Sequence, residues 1–85
     1  MIWYTYILEC SDKTLYTGIT NDLDKRIGQH NNGTGAKYTR GRGPVKLKFF
    51  STSYSRSDAS KYEAKIKKMS KLEKLKLIKN LLNEL

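Results

Sequence analysis

The sequence contains little from which a membrane span, a disulfide or a structural zinc site could be built. No apolar run approaches the roughly 20 residues that cross a bilayer, and the N-terminus lacks the basic segment and cleavage site of a signal peptide. A single cysteine, Cys10, cannot form an internal disulfide, and one histidine is too few to complete a zinc site with it. These absences predict a cytoplasmic protein with no membrane partner.

Acidic residues are scarce beyond the first third of the chain. The 85 residues carry a net charge of +9. Residues 1–31 hold three basic and four acidic side chains, residues 32–56 hold six basic and no acidic ones, and residues 57–85 hold eight lysines and four acids. Concentrated positive charge favours a polyanion as partner, most often nucleic acid. A solubilising surface is the alternative explanation.

Apolar patterning predicts one α/β (α+β) domain over residues 1–85, with the order β-β-α-β-α-α. Alternating residues predict strands at 2–9 and 14–20, which are close enough to pair as a hairpin, and a third strand at 45–52. The expected product is a small, mainly antiparallel three-stranded sheet flanked by three helices. One face of the third strand is expected to carry Val45, Leu47 and Phe49.

Capping residues predict where the helices begin. The first helix is expected to begin after Asn21 or Asp22 and to end near Asn31, and Ser57 or Asp58 would cap the second.

The third helix would begin at a Ser-x-x-Glu capping box over residues 70–73. Its apolar residues spread over a wide arc, which makes this helix the candidate surface for homo-oligomerisation. These residues are Leu72, Leu75, Ile78, Leu81, Leu82 and Leu85.

Tyrosines occupy both strands of the predicted hairpin. Tyr16 shares a face of the second strand with Gly18, where a glycine inside a strand indicates that something approaches the backbone closely. Pairing Tyr6 with Tyr16, or shifting that register by two, brings the hydroxyls together, whereas a shift by one separates them. Simple core packing of the rings is the alternative.

An arginine and a histidine fall on the apolar stripe of the first predicted helix. At about 100° per residue, Arg26 and His30 lie beside Leu23 and Ile27. A buried arginine costs several kcal/mol unless it meets an anion, so Arg26 borders a site, pairs with a charge or extends to solvent. With His30 one turn later, the pair resembles a phosphate-facing site.

One carboxylate lies at the edge of the apolar face of the second predicted helix. Glu63 is about 40° from the stripe of Tyr62, Ile66 and Met69. It could bind a divalent metal or neutralise Arg26, and the ion pair is the favoured interpretation.

Together these motifs resemble the GIY-YIG nuclease domain in a short stand-alone bacterial form. Tyr4-Thr5-Tyr6 matches the family's Gly-Ile-Tyr motif, and Tyr16-Thr17-Gly18 matches its Tyr-Ile-Gly motif. Arg26 lies ten residues after Tyr16, with His30 four residues further on.

The resemblance implies a metal-dependent endonuclease that uses one Mg²⁺ or Mn²⁺ ion on nucleic acid, with DNA, branched or single-stranded, as the expected substrate. It implies that Glu63 binds the metal and that Arg26 holds the scissile phosphate. Tyr6 would activate water with support from Tyr16, and His30 would assist proton transfer or phosphate binding. A tyrosine base requires positive charge that lowers its pKa well below about 10.

The glycine-rich loop before the third strand is the expected surface for substrate choice, since its residues suit phosphate contacts and base stacking. These residues are Lys37, Tyr38, Arg40 and Arg42. The family's late asparagine has only Asn80 and Asn83 as candidates, and neither falls clearly in place.

Two other classes of function fit the same sequence. A catalytically weak or inactive nucleic-acid-binding module would keep the scaffold without cleavage. An architectural or ribosome-associated basic protein would depend on Lys37, Arg40 and Arg42 but not on the tyrosines or Glu63.

Overall fold

The computed structural model describes residues 1–84, with side chains described through Asn80. It contains a three-stranded antiparallel sheet and three helices, which confirms the predicted α+β class and the order β-β-α-β-α-α. The elements are β1 Trp3–Glu9, β2 Leu15–Thr20, α1 Leu23–Asn31, β3 Lys46–Ser53, α2 Arg56–Lys67 and α3 Lys71–Glu84. A 3₁₀ turn at Lys37–Thr39 interrupts the basic loop. No helix within residues 1–84 is long and apolar enough to cross a membrane.

The central strand of the sheet is β1, with β2 and β3 on either side in the order β2-β1-β3. Tyr6 pairs with Gly18 and Leu8 pairs with Tyr16. This register is shifted by two from a direct pairing of Tyr6 with Tyr16. Both tyrosines therefore project from the same face of the sheet, as the even-shift registers predicted.

Each face of the sheet carries its own apolar cluster. On the α1 face, Leu23 and Ile27 pack against a cluster that contains Tyr6 and Leu8. The opposite face is covered by α2 and α3, whose residues pack around Ile7. A hydrogen bond of 3.0 Å from the Thr5 hydroxyl to the carbonyl of Ala59 fixes α2 on that face.

The third strand contains a bulge that the alternating pattern did not predict. Ile7 pairs with Phe49 while Leu8 pairs with Leu47, so Leu47 and Lys48 together oppose a single residue of β1. The prediction that Val45, Leu47 and Phe49 share a face is therefore wrong. Val45 packs on the α1 face and Phe49 on the α2 face.

Two of the three predicted helix starts agree with the structure. Asp22 caps α1 by accepting a hydrogen bond from the Lys25 amide. At α3, Ser70 and Glu73 exchange the two bonds of a capping box. The predicted cap of α2 at Ser57 or Asp58 is wrong, because the extended residue Ser55 already accepts from the amide of Asp58.

Apolar side chains of α3 are divided between the core and the surface. Ile78 is buried, whereas Leu72 and Leu75 are 63% and 42% exposed. The side chains of Leu81 and Leu82, and all of Leu85, lie outside the described part of the chain. Homo-oligomerisation through this helix stays a prediction.

Candidate functional site

A buried hydrogen bond between Tyr6 and His30 lies at the centre of the α1 face. The Tyr6 hydroxyl and His30 Nε2 are 2.9 Å apart. Tyr6 has no exposed surface and His30 is 1% exposed. The sequence predicted that His30 turns towards the sheet, and its burial against Tyr6 confirms that orientation.

Thr39 determines the direction of this hydrogen bond. His30 Nδ1 lies 2.7 Å from the Thr39 hydroxyl oxygen, which donates its own proton to the carbonyl of Ala36 at 2.9 Å. The Thr39 oxygen must therefore accept from Nδ1–H, which leaves a lone pair on Nε2 of the neutral imidazole. Tyr6 consequently donates to His30.

Sequence reasoning missed Thr39, although it is as buried as His30. It lies nine residues after His30, in a loop whose basic residues indicated nucleic-acid binding and not a buried contact. A single threonine carries no periodic signal, and only the 3₁₀ turn at Lys37–Thr39 directs it inwards.

Glycines provide the space that the two buried rings occupy. A Cβ at position 18 would lie 2.5 Å from the Tyr6 hydroxyl oxygen and 2.7 Å from Cζ of the same ring. A Cβ at position 35 would lie 2.6 Å from Nδ1 of His30. The close approach predicted at Gly18 is therefore confirmed, and the approaching group is the phenol of Tyr6.

An aromatic column leads from His30 to the surface of the basic loop. The Tyr16 ring lies 5.1 Å from the His30 ring and 6.4 Å from the Tyr6 ring. Tyr38 stacks on Tyr16 at 5.8 Å, and the Arg42 guanidinium lies 4.6 Å from the Tyr38 ring centre.

The positive charges of the basic loop have different surroundings. Arg42 is half-buried and forms an ion pair with Asp12, while Lys37 and Arg40 are exposed. Lys37 and Arg40 therefore present their positive charges to solvent on this loop.

Burial makes Tyr6 a weaker acid than an ordinary tyrosine. Loss of solvent raises the pKa of Tyr6 to about 12, although the Arg26 guanidinium opposes this change. The lowered pKa that a tyrosine base requires is thus not found in the free protein. Burial, and then the charge of Arg26, lowers the pKa of His30, so the imidazole stays neutral.

Arg26 and Glu63 bring opposite charges to the site from two helices. Arg26 is half-buried and donates a 3.0 Å hydrogen bond to Gln29. The predicted ion pair between Arg26 and Glu63 is wrong, because Glu63 pairs with Lys67 at 3.4 Å. Its negative charge nevertheless helps to raise the pKa of Tyr6, so Glu63 acts within electrostatic range of the phenol.

The donor set fits a weakly held magnesium ion better than a protein-enclosed metal centre. Among the described residues, no group of three or more His, Cys, Asp or Glu side chains could hold a metal. Mg²⁺ usually keeps several waters and binds one or two carboxylates together with substrate phosphates. Glu63, whose side chain is 22% exposed, is a carboxylate of that kind.

The two candidates for the family's late asparagine are both on α3. Asn80 is exposed on α3, and the side chain of Asn83 lies outside the described part of the chain.

Comparisons with known proteins identify the family of this chain. The model of the GIY-YIG catalytic domain matches residues 2–76. A UPF0213 protein from Syntrophus aciditrophicus is 60% identical over 77 residues, covering 89% of this chain and 88% of the relative. A UPF0213 protein from Clostridium perfringens is 57% identical over 75 residues, covering 88% and 81%.

Two solved structures are also similar to this chain in sequence and in fold. The solution NMR structure of a UPF0213 protein from Bacillus halodurans is 46% identical with a TM-score of 0.60, covering 93% of this chain and 84% of that one. The solution NMR structure of a protein from E. faecalis is 37% identical with a TM-score of 0.65, covering 95% and 86%.

Proposed function

The chain belongs to the GIY-YIG family, a superfamily composed generally of endonucleases, and from this premise we propose that it hydrolyses phosphodiester bonds in DNA with the help of one divalent ion. The observation that carries the proposal is the directed chain of hydrogen bonds from Tyr6 through His30 to Thr39. A phenol that donates to a neutral, oriented imidazole has a pathway by which its proton can leave.

This pathway allows Tyr6 to act as a base although its raised pKa keeps the phenol protonated. Phenolate formation in advance is unfavourable when the pKa is about 12. Because Tyr6 has no exposed surface in the free protein, activation of water by Tyr6 requires that substrate binding opens a path for water to its oxygen. The Tyr6 oxygen then accepts a proton from that water while its own proton passes to Nε2 of His30. The water oxygen then forms a bond to phosphorus, the bond from phosphorus to the leaving oxygen breaks, and solvent supplies the proton for that oxygen. His30 returns to its neutral form by releasing its extra proton.

Arg26 is the group best suited to hold the scissile phosphate. Its guanidinium influences both Tyr6 and His30 electrostatically, so a phosphate bound to it would lie beside the proton pathway. Two parallel N–H bonds from one guanidinium would fix the orientation of the phosphate and stabilise the added charge of the transition state. A divalent ion bound by Glu63 would supply Lewis-acid stabilisation of the same charge.

The basic loop provides the remaining contacts with nucleic acid in this proposal. Lys37 and Arg40 are exposed and close in sequence to Thr39, which binds the catalytic histidine. Phosphate contacts there make binding depend steeply on salt.

A non-catalytic nucleic-acid-binding module is the second candidate. The raised pKa of Tyr6 favours it, because a phenol that keeps its proton cannot act as the base that activates water.

A cleavage assay separates the two candidates. Purified protein is incubated with flapped, branched and single-stranded DNA in Mg²⁺ or Mn²⁺, alongside Tyr6→Phe and Glu63→Gln. The exposed Tyr54, which is 89% accessible, provides the matched control Tyr54→Phe. We expect Tyr6→Phe to lose about 10²-fold or more in rate, since a general base typically contributes 10² to 10⁴. Glu63→Gln should also lose cleavage, because it removes the proposed carboxylate ligand of the metal, while the control cleaves normally. DNA binding without products in the wild-type protein would favour the binding module.

A further inference from the structure

A cavity of about 350 Å³ lies at the corner where β2 leads into α1, next to the proposed catalytic residues. Its volume is within the range of small-molecule sites, roughly 300 to 1,000 Å³. We call it the corner cavity. Its lining residues are Tyr4, Asn21, Asp22, Leu23, Asp24 and Phe50.

Two aromatic rings form one wall of the corner cavity. Tyr4 and Phe50 meet edge to face, with ring centres 6.0 Å apart. Neither ring belongs to the two core clusters, and Phe50 is 44% exposed. A half-exposed phenylalanine on a sheet face leaves a flat apolar surface open to a ligand.

The aromatic wall is adjacent to the proposed catalytic tyrosine. Phe50 pairs directly with Tyr6 across β1 and β3. Tyr4 lies on the same face of β1, two residues and therefore about 6.6 Å before Tyr6.

Other residues that line the corner cavity carry hydrogen-bond acceptors, two of them negatively charged, and we call this part of the lining the acceptor wall. Asp22 and Asp24 belong to the N-terminal turn of α1, and the Asn21 amide nitrogen is directed to Met1, which leaves its oxygen as an acceptor. Carboxylates repel phosphate, so the backbone of a nucleic acid would avoid this wall. The amino group of a base, in contrast, is a donor that an aspartate accepts, as in contacts to N4 of cytosine.

We propose that the corner cavity binds an unpaired nucleobase that bears an exocyclic amino group, from a nucleotide near the scissile phosphate. The base stacks against Phe50 and Tyr4, and its amino edge donates to Asp24, because the Asp22 carboxylate already accepts from the Lys25 amide. This inference rests on the proposed function for its substrate class. It makes the domain selective for unpaired cytosine-like bases over uracil or thymine.

Binding without metal tests the inference separately from cleavage. Affinities for short single-stranded oligonucleotides of dC or dU are measured by fluorescence anisotropy in EDTA. These bases differ only along the Watson–Crick edge, at C4, which carries an amino group in cytosine and a carbonyl in uracil, and at N3, which is an acceptor in cytosine and an N–H donor in uracil. We expect Phe50→Ala to weaken dC binding about 5-fold or more, because stacking contributes roughly 1 to 3 kcal/mol per base. Phe50→Tyr should retain it. Tyr54→Ala, which removes another exposed ring, is the matched control.

A second variant tests the hydrogen-bond acceptor in the acceptor wall. Asp24→Asn should raise dU binding, because it removes a negative charge, and should lower the dC to dU ratio of affinities. Asp58→Asn makes the same charge change in the first turn of α2 and should leave that ratio at the wild-type value. Equal ratios in all three proteins, or equal effects of Phe50→Ala and Tyr54→Ala, would overturn the inference. Because no cleavage is measured, an inactive enzyme could still show the preference, and an active nuclease could lack it.

Discussion

The hydroxyl of Tyr6 donates a hydrogen bond of 2.9 Å to Nε2 of His30, across the interface between β1 and α1. The donor direction follows from Thr39, which accepts from the other nitrogen of the imidazole. An arrangement of this kind keeps the proton of the phenol next to a neutral base. Four predictions depend on this site and on the sheet that supports it.

Stability should fall in mildly acidic solution because His30 is buried in its neutral form. Its pKa is lowered from the ordinary value of 6.5 by burial and by Arg26. The unfolded chain therefore binds a proton before the folded one, and the stability present above pH 6.5 is lost as the pH falls through the folded pKa. Urea unfolding as a function of pH measures this loss. His30→Gln should abolish the part of the pH dependence that comes from protonation of His30. An unchanged profile in the variant would exclude His30 as its source.

Replacing Thr39 should slow cleavage without weakening DNA binding. Thr39→Val removes the acceptor for Nδ1–H, so the imidazole can carry its proton on Nε2 and no longer accept from Tyr6. We expect kcat to fall about 10-fold or more, by analogy with the partners that orient metal-binding histidines, with KM little changed. Thr39→Ser keeps the hydroxyl and should restore most of the rate. Equal kcat values for the two variants would contradict this positioning role.

Gly18→Ala should damage both stability and activity. The new Cβ would lie 2.5 Å from the Tyr6 hydroxyl, in a buried paired strand, so the ring must move. We expect a loss of about 1 to 3 kcal/mol in the free energy of unfolding, measured by urea denaturation. Gly28→Ala is the control, since its Cβ meets nothing within 4 Å and α1 should gain up to about 1 kcal/mol. Equal effects of the two substitutions would show that the close approach is unimportant.

Thr17→Val should stabilise the domain. Thr17 is 4% exposed, and its hydroxyl oxygen has no hydrogen-bond partner within the described part of the chain. Replacing it with a methyl group of similar shape removes an unsatisfied buried group, which costs about 1 to 3 kcal/mol. We expect a higher midpoint of thermal unfolding. Thr17→Ser keeps the hydroxyl and loses the methyl, so a stabilised Ser variant and an unchanged Val variant would refute the explanation.

The element order and the placement of Tyr6, Tyr16 and His30 on one side of the sheet could be predicted because their signals are local or periodic. The stripe of α1 predicts that His30 turns inwards, and the alternation of β1 and β2 restricts Tyr6 and Tyr16 to one face or to opposite faces. The capping box of α3 needs four residues only. These patterns arise from the geometry of single elements, which the sequence contains directly.

Tertiary contacts alone determined the register, the partners and the proton pathway. The bulge at Leu47 and Lys48 moves Phe49 to the opposite face and leaves Phe50 beside Tyr6. Glu63 pairs with Lys67 instead of Arg26, and Thr39 reaches His30 from a loop. Side-chain identity and spacing restrict which groups can meet. The pKa of a buried phenol depends on the exclusion of solvent, and the direction of its hydrogen bond depends on the acceptor that orients the histidine. Both exist only after the chain has folded.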